Sequence, residues 1–172
     1  MERVIPLSRR KGDIVILAFF WLNILLITYI VDVEQIVLPD ISGDWEYPMW
    51  PPAFWIDIIH SYGRTFDPVL IARPVWWRMT IWIDSLFFGP FYVFAIYAYT
   101  KGKNWIRIPS IIWASVMMTN VVIILGEEFM GAHPTPHPWI VLALNAPWLL
   151  VPVYTIKRMW NAETPFTENA SA

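Results

Sequence analysis

The chain has 172 residues, of which 57% are hydrophobic, 17% aromatic and only 15% charged, with 12 Trp, 15 Pro and no Cys. A soluble domain carries about 25% charged residues, so this is not an ordinary hydrated surface, and a net charge of −2 excludes the basic footprint of a nucleic-acid binder. Without Cys there are no disulfides, thiolate metal sites or cysteine nucleophiles, and an integral membrane protein remains.

A hydrocarbon core about 30 Å thick takes roughly 20 apolar residues of helix. Residues 1–13 form a basic N-terminus. The first span begins at Ile14 and stays almost wholly apolar to Val31; if it continues through Val33–Leu38 it covers about 14–37. It is too long for the apolar region of a signal peptide, and no small-x-small cleavage site follows it. A loop over 39–74 follows, too long for a simple turn, with a short amphipathic helix expected over Ala53–Tyr62 and a lid role on the exoplasmic face. The second span, about 75–100, contains Arg78, Asp84 and Gly89-Pro90. The third and fourth, about 106–126 and 139–158, hold no charge in their apolar cores Ile108–Leu125 and Trp139–Ile156. Pro90, Pro147 and Pro152 lie where they should kink a helix. Residues 161–172 form a polar tail expected to lack fixed structure. The fold class is therefore all-α, a multi-pass four-transmembrane-helix bundle.

Basic residues set the expected orientation. Arg3, Arg9, Arg10, Lys11, Lys101, Lys103, Arg107, Lys157 and Arg158 all fall on the side of the termini, against Arg64, Arg73 and Arg78 on the other. The positive-inside rule puts both termini in the cytosol. The formal sequon Asn169-Ala170-Ser171 would then receive no glycan.

Ionisable groups inside membrane helices default to functional candidates. Asp84 lies about 14 Å into the second helix, and Asp32 about 8 Å from the exoplasmic end of the first. Because these helices run antiparallel, both acids reach comparable depth. One charged and one protonated carboxyl facing a single cavity would receive a buried ammonium group, or donate a proton to an alkene. The structural alternatives are a pairing of Asp84 with Arg78 and an interfacial cap at Asp32.

Glu127 and Glu128 read as a solvated helix end, with closure of the cavity as the alternative. His60 reads as an ordinary loop histidine. His133 and His137 are separated by prolines that forbid a shared helical face, so no metal is expected there. Asn23, Asn120 and Asn145 suit interhelical hydrogen bonds, and Asn120 and Asn145 are also candidate ligand contacts. No phosphate loop, nucleophile elbow or zinc motif occurs, and no cofactor is expected.

Several segments carry a family resemblance: DVEQIVLP at Asp32–Pro39, Asp67-Pro68, YAYTKGKNWIRIPSII at Tyr97–Ile112 and NAPWLLVP at Asn145–Pro152. They resemble the EXPERA domain family of four-helix membrane proteins, and within it the sigma-2-receptor-like branch. The resemblance implies a cavity in the membrane that takes sterols or lipophilic cationic amines, a part in sterol and cholesterol homeostasis, residence in the endoplasmic reticulum, and a homodimer. It implies that the acid at Asp32 pairs with the ligand amine, that the acid at Asp84 hydrogen-bonds to the first, that Asp67 is a structural acid, and that Trp148 lines the pocket. The chain departs from the family in three ways. Its membrane helices hold no His, which weakens a sterol isomerase reading with the acids as proton donor and acceptor. Asp84 stands where the receptor branch has Glu. The tail lacks a basic retention signal. A membrane chaperone or assembly factor is a further alternative.

Overall fold

The computed structural model describes residues 2–169. Four helices are long and apolar enough to cross a membrane: α1 (Lys11–Val37), α4 (Val75–Lys101), α5 (Asn104–Met130) and α6 (Pro138–Trp160). Between α1 and α4, the loop contributes α2 (Ala53–Thr65) and the single turn α3 (Pro68–Ala72). The helices alternate in direction, so the two termini share one end of the bundle and the α2–α3 segment occupies the other. Helix α5 packs along α6, and α1 packs against α4. Outward-facing side chains such as Leu25, Leu86, Val122 and Leu150 are more than half exposed. An apolar outer face of this kind belongs in lipid, where a helix is stable because its backbone groups are paired internally.

Two helices depart from regular α geometry, each around one of the membrane acids. In α1 the residues Asn23–Asp32 are wound as a π-helix, and in α4 the same is true of Asp84–Phe88. The second has a visible cause. Pro90 has no N–H, and its ring crowds the carbonyl four residues back, so the turn before it opens. Gly89 lies where α4 meets α1, and a methyl there would come 3.1 Å from the Thr28 side chain. Wide π turns are frequent at functional sites. Helix α6 continues through both Pro147 and Pro152, with Ala146 in helical geometry, φ −53° and ψ −39°.

Apolar transfer does not drive one helix onto another in lipid, so tight contact and interhelical polar bonds hold the bundle. Near the termini the contact is aromatic. Trp113 is fully buried, with ring centroids of Phe20, Phe91 and Tyr92 at 5.1, 5.3 and 5.9 Å. Small residues Ala95, Ala98 and Ala114 let the helices close around it.

The tail corrects an expectation. Residues 161–169 do not lack structure but return to the N-terminus, where β2 (Thr167–Asn169) pairs antiparallel with β1 (Glu2–Val4). Phe166 supplies the anchor that a purely polar tail would lack. It is fully buried, 5.0 Å from the Tyr99 ring, with the guanidinium carbons of Arg10 and Arg158 at 4.9 and 5.7 Å from its centroid. The asparagine of the sequon, Asn169, lies opposite Glu2, while Ala170 and Ser171 fall outside the described residues. Two of the basic residues used for orientation are thus not free cations: Arg10 donates to Asp13 at 2.8 Å and Arg158 to the same carboxylate at 3.2 Å.

Candidate functional site

The end of the bundle away from the termini encloses a cavity of about 410 Å3, within the range of small-molecule sites. Its walls are mostly apolar. Leu26 and Val31 come from α1, Ile81 and Phe88 from α4, and Val121 and Ile124 from α5. The long loop also contributes to the lining of the cavity. Trp55, Ile59 and Tyr62 of α2 and Leu70 of α3 line it from above. Helix α2 runs three residues beyond the expected amphipathic stretch, to Thr65, and buries Ile56, Ile59, His60 and Gly63 along one face.

All five expected ligand contacts line this one cavity: Asp32, Asp84, Trp148, Asn145 and Asn120. Asp32 and Asp84, from two antiparallel helices, both face this cavity. Asp84 also accepts from Thr28 Oγ1 at 2.7 Å, a bond from α1 to α4. Asp32 Oδ2 is buried and has no donor. Arg78 does not neutralise Asp84; its side chain opens into a separate groove. Trp148 donates Nε1–H to Asn23 Oδ1 at 2.9 Å, so the indole is held on α1 with its ring against the cavity. The Asn145 amide donates to Val141 O at 2.9 Å. No Lys, Arg or His lines the cavity among the described residues.

Asp67, the expected structural acid, also lines the cavity. It caps α3 by accepting from the Leu70 N–H at 3.1 Å, a bond that satisfies one free donor of the helix start. Burial pushes its carboxyl above the usual aspartate range, and contacts with Glu128 and the Leu70 N–H act the other way. Glu128 corrects the reading of a solvated helix end. It is 1% exposed and turned onto Asp67, because α5 runs on to Met130 and successive residues diverge by about 100° around a helix. Its neighbour Glu127 points outward and accepts from His133 Nδ1 at 2.8 Å.

His60 is likewise no ordinary loop residue. It is 2% exposed, and its Nε2 lies 2.9 Å from Glu34 Oε1. Glu34 also accepts from Arg73 Nη2 at 2.9 and 2.8 Å, and Arg73 donates to Leu38 O and Leu70 O. This buried cluster ties α1 to both lid helices. Arg73 reaches it from a left-handed backbone conformation, φ 46°. Beside it, Gln35 accepts from the Trp77 indole. Of these residues only Glu34 carried a sequence signal, a charge inside the apolar run 33–38.

A four-helix membrane bundle, a loop-derived lid and an acid-lined cavity define the class. The EXPERA profile (expanded EBP superfamily) matches residues 54–159, and the chain belongs to that family. Its relatives include sigma intracellular receptor 2 of Homo sapiens, 31% identical over 161 residues that cover 86% of each chain. The protein of the same name from Macaca fascicularis is 31% identical with the same coverage. That from Xenopus tropicalis is 28% identical over 82% of this chain and 84% of its own. The chain is a sigma-2-receptor-like member of the EXPERA family.

Proposed function

We propose that this protein binds a lipophilic amine or a sterol in the cavity beneath the lid, with Asp32 as counter-ion and Asp84 as the carboxyl that positions it. One observation carries the reading: among the described residues, both acids line an apolar cavity with no basic side chain, and an oxygen of Asp32 lacks a donor. An ammonium group would supply that donor and offset the desolvated charge, while the fused rings or alkyl body of the ligand fill the apolar walls. Trp148, Asn145 and Asn120 bound the ligand on the side of α5 and α6. Burying a charge without a partner is costly, so an amine should gain more from this site than a neutral sterol of the same shape.

The same reading places both termini in the cytosol, on the distribution of Lys and Arg. It takes an internal membrane such as the endoplasmic reticulum as the location, in keeping with the word intracellular in the relatives' name. A homodimer, and a part in sterol homeostasis, rest on the resemblance alone.

Equilibrium binding of a lipophilic amine and of a neutral sterol to wild type, Asp32→Asn and Asp84→Asn tests it. Loss of one charge-assisted contact costs about 1.5–3 kcal/mol, or roughly ten- to a hundredfold in affinity. The amine should weaken by that factor in Asp32→Asn while the sterol is little changed. Equal amine affinity in all three proteins would sink the proposal.

A further inference from the structure

A second groove opens on the flank of the bundle, between the ends of α1 and α4 nearest the lid. It measures about 350 Å3 and is lined by Gln35, Ile36 and Pro39 on one side and by Val75, Arg78 and Trp82 on the other, with Met79 at its rim. The groove faces lipid, since Val75, Met79 and Trp82 are 64%, 50% and 41% exposed. Arg78 is its one cation.

Arg78 differs from the other arginines of the bundle, of which Arg107 donates to Met159 O at 2.8 Å and three more meet acids. Arg10, Arg73 and Arg158 each meet a carboxylate, at 2.8, 2.8 and 3.2 Å. Arg78 makes no ion pair among the described residues, and its Nε–H is buried without an acceptor. Asp40, an acid whose charge reaches it, lies fully exposed in the loop and is already engaged by the Ser42 N–H and Oγ–H at 2.9 and 2.7 Å. Gln35, also in the groove, turns its amide to Val31 O and the Trp77 indole, with no bond to Arg78. The local backbone adds to the deficit of negative charge. Helix α4 starts after Pro74 with no side-chain cap and no acid in its first turn, so its free N–H groups and the positive end of its dipole go unanswered.

Depth decides what the missing anion is. Arg78 lies three residues past the start of α4, about 4.5 Å along the axis, which is the level where lipid headgroups begin. The groove's apolar rim continues from Arg78 toward the bilayer centre along Met79 and Trp82. A cation at headgroup level above a lipid-facing apolar groove fits an amphiphile with an anionic head. We propose that this groove is a binding site for a membrane phospholipid, its phosphodiester held by Arg78 and the start of α4, and an acyl chain laid along Met79 and Trp82. The groove shares Gln35 and Ile81 with the cavity wall but opens on the lipid-facing flank.

Native mass spectrometry tests this on the full chain released from micelles that contain phosphatidylglycerol, or diacylglycerol with the same acyl chains. Wild type should retain one phosphatidylglycerol and little diacylglycerol. In Arg78→Gln the retained fraction should fall about tenfold or more, as expected for loss of a charge-assisted contact. Met79→Trp keeps the arginine and fills the groove from an exposed position, so it should also lose the lipid and serves as the test if Arg78→Gln folds poorly. Inorganic phosphate at millimolar concentration should not displace the lipid. Equal retention in wild type and Met79→Trp, equal retention in Arg78→Gln, or equal binding of diacylglycerol would overturn the proposal. Displacement by inorganic phosphate would assign the anion to solution instead of the bilayer and overturn it too.

Discussion

The two ends of this bundle are closed by the same chemical device and filled in opposite ways. At the terminal end Asp13 gathers Arg10 and Arg158 beneath a two-stranded clasp. At the lid end Glu34 gathers Arg73 and His60 beneath α2 and α3. Below the first lies a dry aromatic core around Trp113; below the second lies the 410 Å3 cavity. Buried ion pairs do not make a fold stable in proportion to their number, because desolvation offsets most of the attraction. What they do here is fix the two segments that are not transmembrane helices. One such segment only closes the chain's ends, whereas the other roofs the candidate ligand site.

The largest effects should come from removing either central acid. Asp13→Ala and Glu34→Ala each leave buried cations without a partner, which typically costs about 3–5 kcal/mol. The consequences should separate by place. Glu34→Ala should release the lid, so that hydrogen exchange rises over 53–73 and ligand affinity drops. Asp13→Ala should release β1 and β2 and leave affinity unchanged. Exchange measured by mass spectrometry, with amine binding on the same samples, checks both; an equal loss of affinity in the two variants would show that the ends are not independent.

A smaller and more discriminating effect concerns the interior. Ala114 is fully buried in the aromatic core, and enlarging it to Leu should cost about 1–3 kcal/mol through overpacking. Ile124 lines the cavity, so Ile124→Phe adds its extra volume to empty space and should leave the unfolding temperature nearly unchanged. It should instead compete with ligand. If Ile124→Phe destabilises as much as Ala114→Leu, the space beneath the lid is not available to a ligand.

This contrast also explains what could be read from the sequence. Composition and apolar run length point to the four spans, and the cost of ionisable groups in lipid singles out Asp32 and Asp84, which the fold places on one cavity. Both signals are local to one helix. The Glu34–His60–Arg73 cluster is not, because it joins three elements far apart in sequence and needs the left-handed conformation of Arg73, which neighbouring residues do not announce. Glu128 was hidden for a related reason. Whether a charge after an apolar run is solvated depends on where the helix stops, and α5 extends past it to Met130. In the tail, one phenylalanine among polar residues is a weak signal until the aromatic and cationic partners that bury it are in place.

The smallest effect is a pH dependence that belongs to the lid end alone. Burial raises Asp67 above the ordinary aspartate value of 3.8, so the folded chain holds this proton more tightly than the unfolded chain. The stability that the raised value contributes is complete at pH below the unfolded value and is lost as pH rises through the folded one. The slope is at most about 1.4 kcal/mol per pH unit for one proton. Asp67→Asn retains a side-chain oxygen to cap α3 and cannot ionise, so it should remove this part of the slope without unfastening the helix. Glu128 faces the same carboxyl and Tyr62 feels its charge; the comparison is therefore made between wild type and Asp67→Asn, with Glu128→Gln as the partner variant. Thermal unfolding in micelles from about pH 4 to 8 should show wild type losing stability relative to Asp67→Asn as pH increases. An unchanged difference across that range would mean that Asp67 is no better buried than an ordinary helix cap, and that the lid is open to water at rest.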